Sequence, residues 1–268
     1  MKSDDVEKLT DALMNKLINS LNFSKELSNK KIEGDIWIDG KRISDIRSEI
    51  KIENTVFNDL KIKNSDFSGS LTFIECEFNK LTIVNSKFRN ELVFEKCQIK
   101  KRLEISESNI DSLKLHECPI VEEIIIKNNV TTREIDIHGN TIEIIDINSL
   151  NSEAINITNN KVKNCILVSR DNKGILNMSD LTINSLYMEL RKFGNKSCKI
   201  YLNKLKPKDS NSNLKFGKII VEKISISKTN LNKFKKIYIS KVFEYDEFNA
   251  VSVKWPKDIY ELNSEERV

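Results

Sequence analysis

The sequence predicts an all-β chain wound into a parallel solenoid, with stacked turns of about 21 residues each. Three observations predict it. A leading Leu recurs at Leu60, Leu71, Leu81, Leu92, Leu103 and Leu113, then as Ile124, each ten or eleven positions after the last. The small residue of each unit alternates Ser65, Cys76, Ser86, Cys97, Ser108, Cys118, so like meets like only at every second step. Within a unit the apolar positions sit two apart, as in Leu60-Lys61-Ile62 and Ser65-Asp66-Phe67, which is strand alternation and not a helical stripe. Such short pieces cannot build long strands, but they can form the short sides of a coil whose turns bond to one another about 4.8 Å apart. Each turn then carries four inward pairs. Equivalent residues form ladders: Leu60, Leu81 and Leu103; Ser65, Ser86 and Ser108; Cys76, Cys97 and Cys118.

Residues 1–34 read as a capping helix and its connector. Over 3–21, Ser3 caps the start, and Asp4, Asp5 and Glu7 suit its positive end. Val6, Leu9, Leu13, Leu17 and Leu21 share one apolar face. Such a face is most simply the lid of the first turn, whose core and unpaired backbone are otherwise open. A membrane-surface or dimerisation helix is the alternative. The regular coil spans 35–164. It opens with Ile36-Trp37-Ile38 and the turn Asp39-Gly40, and it persists as Ile135-Asp136-Ile137, Ile145-Asp146-Ile147 and Ile155-Asn156-Ile157. Asn64, Asn85, Asn128 and Asn159 recur at corners, where Asn tolerates left-handed backbone and can bond along the stack. Residues 165–256 read as an irregular, basic continuation. Within it, 186–193 suits a strand or a short helix, 204–218 is a polar loop leaving the coil, and strand pairs return at Ile224-Ser225-Ile226, Ile237-Tyr238-Ile239 and Val251-Ser252-Val253. Residues 257–268 are a tail or the start of a truncated helix, with Asn263-Ser264-Glu265-Glu266 as cap and acidic first turn.

Ser65-Asp66-Phe67-Ser68-Gly69 resembles one unit of the pentapeptide-repeat family: a small residue, a polar one, a central Leu or Phe and two turn-formers. Cys76-Glu77-Phe78, Ser86-Lys87-Phe88, Cys97-Gln98-Ile99, Ser108-Asn109-Ile110 and Cys118-Pro119-Ile120 fit more loosely. The resemblance is strongest over 60–126 and implies a right-handed, four-sided β-solenoid. The departure is regular, because Leu60, Leu71, Leu81, Leu92, Leu103 and Leu113 stand where the family prefers a small residue. That substitution implies a wider or flattened cross-section. Val251-Ser252-Val253-Lys254-Trp255-Pro256 is similar to the closing turn of degenerate members found ahead of a helical, often membrane-inserted, region. This implies the soluble N-terminal part of a longer membrane-associated protein.

Composition narrows the function. With 39% hydrophobic and 31% charged residues the chain can bury a core, and the scarcity of alanine (Ala12, Ala154, Ala250) disfavours a helix-rich protein. No apolar run approaches the roughly 18 residues of a membrane span, and the first residues lack the apolar segment of a secretory signal. Five cysteines, three at inward positions, read as reduced thiols of a cytoplasmic protein, tethered to a membrane only if a region outside this chain does so. Stacked Cys76, Cys97 and Cys118 could be drawn as a metal set, but the Ser ladder shows that the position simply takes something small. His116 and His138 should stack on one outer face with Glu95 a turn earlier; a surface ladder accounts for them, since a flat wall offers no pocket.

Charge is unevenly spread. Residues 51–160 hold 13 basic and 18 acidic side chains, a net of −5, whereas 161–255 hold 20 and 8, a net of +12. Lys204, Lys206, Lys208, Lys215 and Lys218 are the candidate binding surface for an anionic membrane, nucleic acid or an acidic protein. The competing reading is a Lys-rich solvated background, because Lys outnumbers Arg 36 to 8 and phosphate binders favour Arg. The chain carries no P-loop, dinucleotide fingerprint, HExxH, nucleophile elbow or catalytic Cys/His spacing. No catalytic, cofactor-binding or metal residue is therefore assigned, and no cofactor is expected. The expectation is a non-enzymatic binding, scaffold or sensor module. The alternatives are a nucleic-acid-linked role, by direct binding or by topoisomerase-directed action that would need an acidic rod, and a solenoid polysaccharide-active enzyme.

Overall fold

A computed structural model of the chain describes residues 28–29, 31–32, 35–40, 42–43, 49–148, 150–172, 174–192 and 198–262. The capping helix expected over 3–21 and the helix start expected at 263–266 lie outside the described residues. The rest is a parallel β-solenoid. Twenty-four strands form one sheet, and its registered strand pairs are parallel. The only helical element among the described residues is a single 3-10 turn, Leu231–Lys233. Leu60 pairs with Leu81, Leu81 with Leu103 and Leu103 with Ile124, while Leu71, Leu92 and Leu113 stack separately. The Leu repeat therefore marks two ladders, and one turn of the coil takes two steps of the repeat.

From Cys76 to Phe94 the turn holds the four inward pairs expected, Cys76/Phe78, Leu81/Ile83, Ser86/Phe88 and Leu92/Phe94, all buried. The expected unit Cys118-Pro119-Ile120 departs from this: Ile120 is 56% exposed, and Val121 takes the inward place beside Ile99. The strands themselves are longer than the sequence predicts. The short pieces join into strands such as Glu77–Val84 and Lys87–Glu95, two per turn. The physical reason lies in the outward residues between pairs. At Lys100-Lys101 the chain bends through a register shift between Ile99 and Arg102, yet the ladder resumes on both neighbours. The two strands of each turn face one another across a thin core: Phe78 meets Phe73 and Phe94 edge-on, with centroids 5.2 and 6.1 Å apart. Along the stack, Phe67–Phe88 and Phe73–Phe94 lie face to face at 4.7 and 5.3 Å. Two walls result, one carrying Glu77–Val84 and Gln98–Ser106, the other Lys87–Glu95 and Asn109–His116.

Sharp reversals join the walls, and in the regular coil they use residues with positive φ. One corner column runs from Asn29 and Asn54 through Glu75, Lys96 and Glu117 to Ser252. Its amides bond one turn onward, from Asn29 N to Glu53 O through to Lys228 N to Val251 O, so the described coil makes about ten turns. The opposite column holds Gly40, Asn64, Asn85, Glu107 and Asn128. The expected corner residues Asn64, Asn85, Asn128 and Asn159 have φ of 52, 46, 57 and 54°. Side chains also bond along the stack, Asn85 Nδ2 donating to Asn64 Oδ1 at 2.7 Å and Asn64 Nδ2 to Asp39 Oδ1 at 2.9 Å. Glu and Lys occupy many of the same corners, so the stack imposes the conformation even where the residue disfavours it.

Past 165 the coil continues but lengthens. Residues 182–192 are a strand, with Cys165 paired to Leu186 and Leu167 to Met188, and not a helix. The polar loop expected over 204–218 shrinks to about 208–212. Lys206–Pro207 pairs with Thr182–Ile183, and Asn213 already opens the strand Asn213–Ser227. Hydrogen bonds hold that turn, among them Asn211 N donating to Asp209 Oδ1 and Asp209 N to Ser212 Oγ. Val251-Ser252-Val253 is not an inward strand pair. Ser252 is a corner at φ 55°, because Phe248 and Ala250 take the inward register opposite Ile224 and Ile226, leaving Val251 outside.

Candidate functional site

Outward columns follow directly from the register. The second wall places Glu95, His116, His138 and Thr158 in one row. His116 Nε2 lies 3.0 Å from Asp136 Oδ2 and His138 Nδ1 2.9 Å from Thr158 Oγ1, with the two rings edge-on at 6.2 Å. Each imidazole is engaged within the wall, and no group of three metal-ligating side chains occurs among the described residues. Farther along, Asn177, Tyr201, Asn203, Ser225 and Ser227 line a shallow polar hollow on the same wall.

Inside, the three repeat cysteines stack as the spacing predicts. Cys76, Cys97 and Cys118 are buried and free, and each thiol lies 3.4–3.7 Å from carbonyls of its own turn and the preceding one. The Cys76 contact and burial push the Cys97 thiol up, and burial pushes Cys118 up to about 12. Contact with Cys97 moves the Cys76 thiol the other way, down, and all three are at most 1% exposed, so they serve the core as packing groups. The ladder begins with Thr55 and continues as Asn140 and Asn160. Asn140 Oδ1 accepts from Cys118 N at 2.7 Å, doing for that amide what Ser86 Oγ does for Ser65 N at 3.2 Å. The amide after a left-handed corner looks for an acceptor one turn on, and Ser, Thr or Asn supplies it.

The five candidate lysines all lie on the first wall or its edge, and they are not equivalent. Lys204 is a corner residue whose Nζ is 3.1 Å from Asp180. Lys215 projects outward opposite Tyr187 and Tyr238, its ammonium 5.9 Å from the Tyr238 ring centre. Lys206, Lys208 and Lys218 have no carboxylate within ion-pair distance among the described residues. Cations of the regular coil are mostly matched along the columns: Arg89 with Asp66, Arg102 with Glu123, Lys127 with Glu104, Arg133 with Asp111. Part of the charge asymmetry of the sequence thus sits on the first wall, where Lys206, Lys208 and Lys218 are among the cations without an ion pair.

One concave site was not legible in the residues singled out. The turns lengthen where Leu186 rests on Leu214 and Ile200 on Ile224, and there the coil opens a cavity of about 230 Å³. Core ladders wall it in, among them Met188, Leu202, Leu214 and Ile226, and Tyr245, Phe248 and Trp255 rim its end. The signal was present in the longer spacing after Leu186 and in the aromatic run Phe243, Tyr245, Phe248, Trp255.

Fold and walls together define a solenoidal repeat protein with a paired surface, a basic strip and an apolar chamber at one end. Comparison with protein-family models, with curated proteins and with solved structures finds no match to this chain.

Proposed function

We propose that the chain is a non-enzymatic binding or scaffold module, a degenerate relative of the pentapeptide-repeat proteins, which engages an anionic partner through the basic strip on its first wall. The observation that carries this reading is that Lys206, Lys208 and Lys218 have no carboxylate within ion-pair distance among the described residues, whereas most cations of the regular coil do. The stacked backbone fixes where these lysines stem from, so an extended anionic surface can meet them without reordering the main chain. The free, buried thiols support a reducing, cytoplasmic setting. No helix of the described residues is long and apolar enough to cross a membrane.

Reversing the strip with Lys206→Glu, Lys208→Glu and Lys218→Glu should abolish sedimentation with phosphatidylserine vesicles at low salt. Adding Lys204→Glu and Lys215→Glu should have little further effect, because those two already have partners. Vesicle binding equal to that of the parent removes the strip from consideration. A gel shift with duplex DNA that weakens steeply with salt and is lost in the triple variant would assign the same strip to nucleic acid instead.

A further inference from the structure

We propose that the chamber inside the last turns is a binding site for a small, neutral, apolar molecule, such as an alkyl chain of medium length or a fused aromatic pair. Size sets the scale. At about 230 Å³ the chamber exceeds the ~150 Å³ apolar cavity that takes benzene.

Chemistry excludes the other occupants. The lining contains no charged side chain, and its one side-chain hydroxyl is that of Tyr245 at the rim. A peptide segment threaded here would bring N–H and C=O groups into walls whose own backbone groups are already committed to the ladders. An α-helix, about 10 Å across, is too wide for the space. A charged headgroup would have no counter-ion. What remains is a molecule that fills volume and asks for little hydrogen bonding.

Access is through the aromatic end. Phe243, Tyr245, Phe248 and Trp255 form a chain of rings with successive centroids 5.3–6.0 Å apart, and Tyr245 and Trp255 are 46% and 42% exposed. The half-exposed rim and the buried floor at Met188 and Leu214 give the site a mouth and a depth. None of the basic-strip lysines lines it, so the proposal stands apart from the anionic partner.

The full chain carrying Trp37→Phe leaves Trp255 as its sole tryptophan. Titration with 1-octanol should change Trp255 emission saturably, with half-saturation below about 1 mM, and should raise Tm. With ¹³C-methyl methionine, octanol protons should give cross-relaxation to Met188 and none to Met178, which packs in a neighbouring ladder. The doubly filled variant Leu214→Phe, Ile226→Phe should bind at least tenfold more weakly. A linear, non-saturating emission change overturns the proposal, as does the absence of transfer to Met188. So does an octanol-sensitive dimer in sedimentation, which would make the rim an interface between two copies. The emission and Met188 readouts use no cavity variant, so misfolding of the filled protein would leave the test intact.

Discussion

Ser86 carries more of this fold than its size suggests. Its hydroxyl accepts from the amide of Ser65 one turn earlier and donates to Val84 O at 2.9 Å. Ser86→Ala leaves a buried amide without an acceptor and should cost about 1–3 kcal/mol in urea unfolding. Cys97→Ser should shift stability by less than about 1 kcal/mol, since a hydroxyl there can donate to Glu95 O as the thiol does at 3.4 Å and can accept from Cys76 N. A second residue-scale effect comes from Asp146, which sits between Ile125 and Ile166 on the outer wall with Oδ1 unpartnered. Burial, with help from the charge of Glu123, holds its carboxyl above the usual aspartate range. The native state therefore favours the protonated form, and stability falls as pH rises from about 3.9 through the raised native value. Asp146→Asn should be more stable than the parent at neutral pH, with the difference shrinking once the pH drops below the ordinary aspartate value. Chemical denaturation at the two pH values reads it.

Among the elements, the strand Ile175–Ser179 shows how closely the turns approach. A Cβ on Gly174, just before it, would lie 1.5 Å from the Glu153 carbonyl oxygen, a main-chain atom that cannot swing away. Gly174→Ala should therefore force the strand from its neighbour Leu150–Thr158 and lower stability by about 1–3 kcal/mol at least, seen as a lower urea midpoint at unchanged m. Gly217→Ala serves as the comparison. Its Cβ would meet the Tyr187 hydroxyl at 2.8 Å, the far end of a side chain that can turn aside, so the loss should be smaller. The full length of strands such as Glu77–Val84 was not legible because the sequence marks only inward pairs. Whether the outward residues between them continue the ladder or break it depends on the turns above and below. For the same reason 186–193 stayed ambiguous until its partners, Lys161–Asn172 on one side and Asn213–Ser227 on the other, were in place.

Across the whole molecule, the solenoid is quasi-one-dimensional, so each surface property is a property of a column. The basic strip illustrates this. Net charge alone put +12 on residues 161–255, but pairing along columns cancels part of it, as Lys163 with Glu143 and Lys223 with Glu247. Lys206, Lys208 and Lys218 are among those left without an ion pair, and the charge-reversal experiment tests them as a unit. Its effect should fade at high salt, because exposed charges are screened within a Debye length. At the far end the strand Phe243–Val251 pairs, among the described residues, with Asn213–Ser227 alone, and Glu244, Asp246 and Glu247 place negative charge along it.

Period, inward alternation and the small-residue ladders were determined by the sequence alone, because so short a repeat can satisfy its backbone and its apolar faces together only by stacking on copies of itself. Tertiary structure decided which lysines lack partners, which residues must hold positive φ, and that the longer turns enclose an apolar chamber. Those properties belong to contacts between turns, and no stretch of chain contains the neighbour on which it will rest.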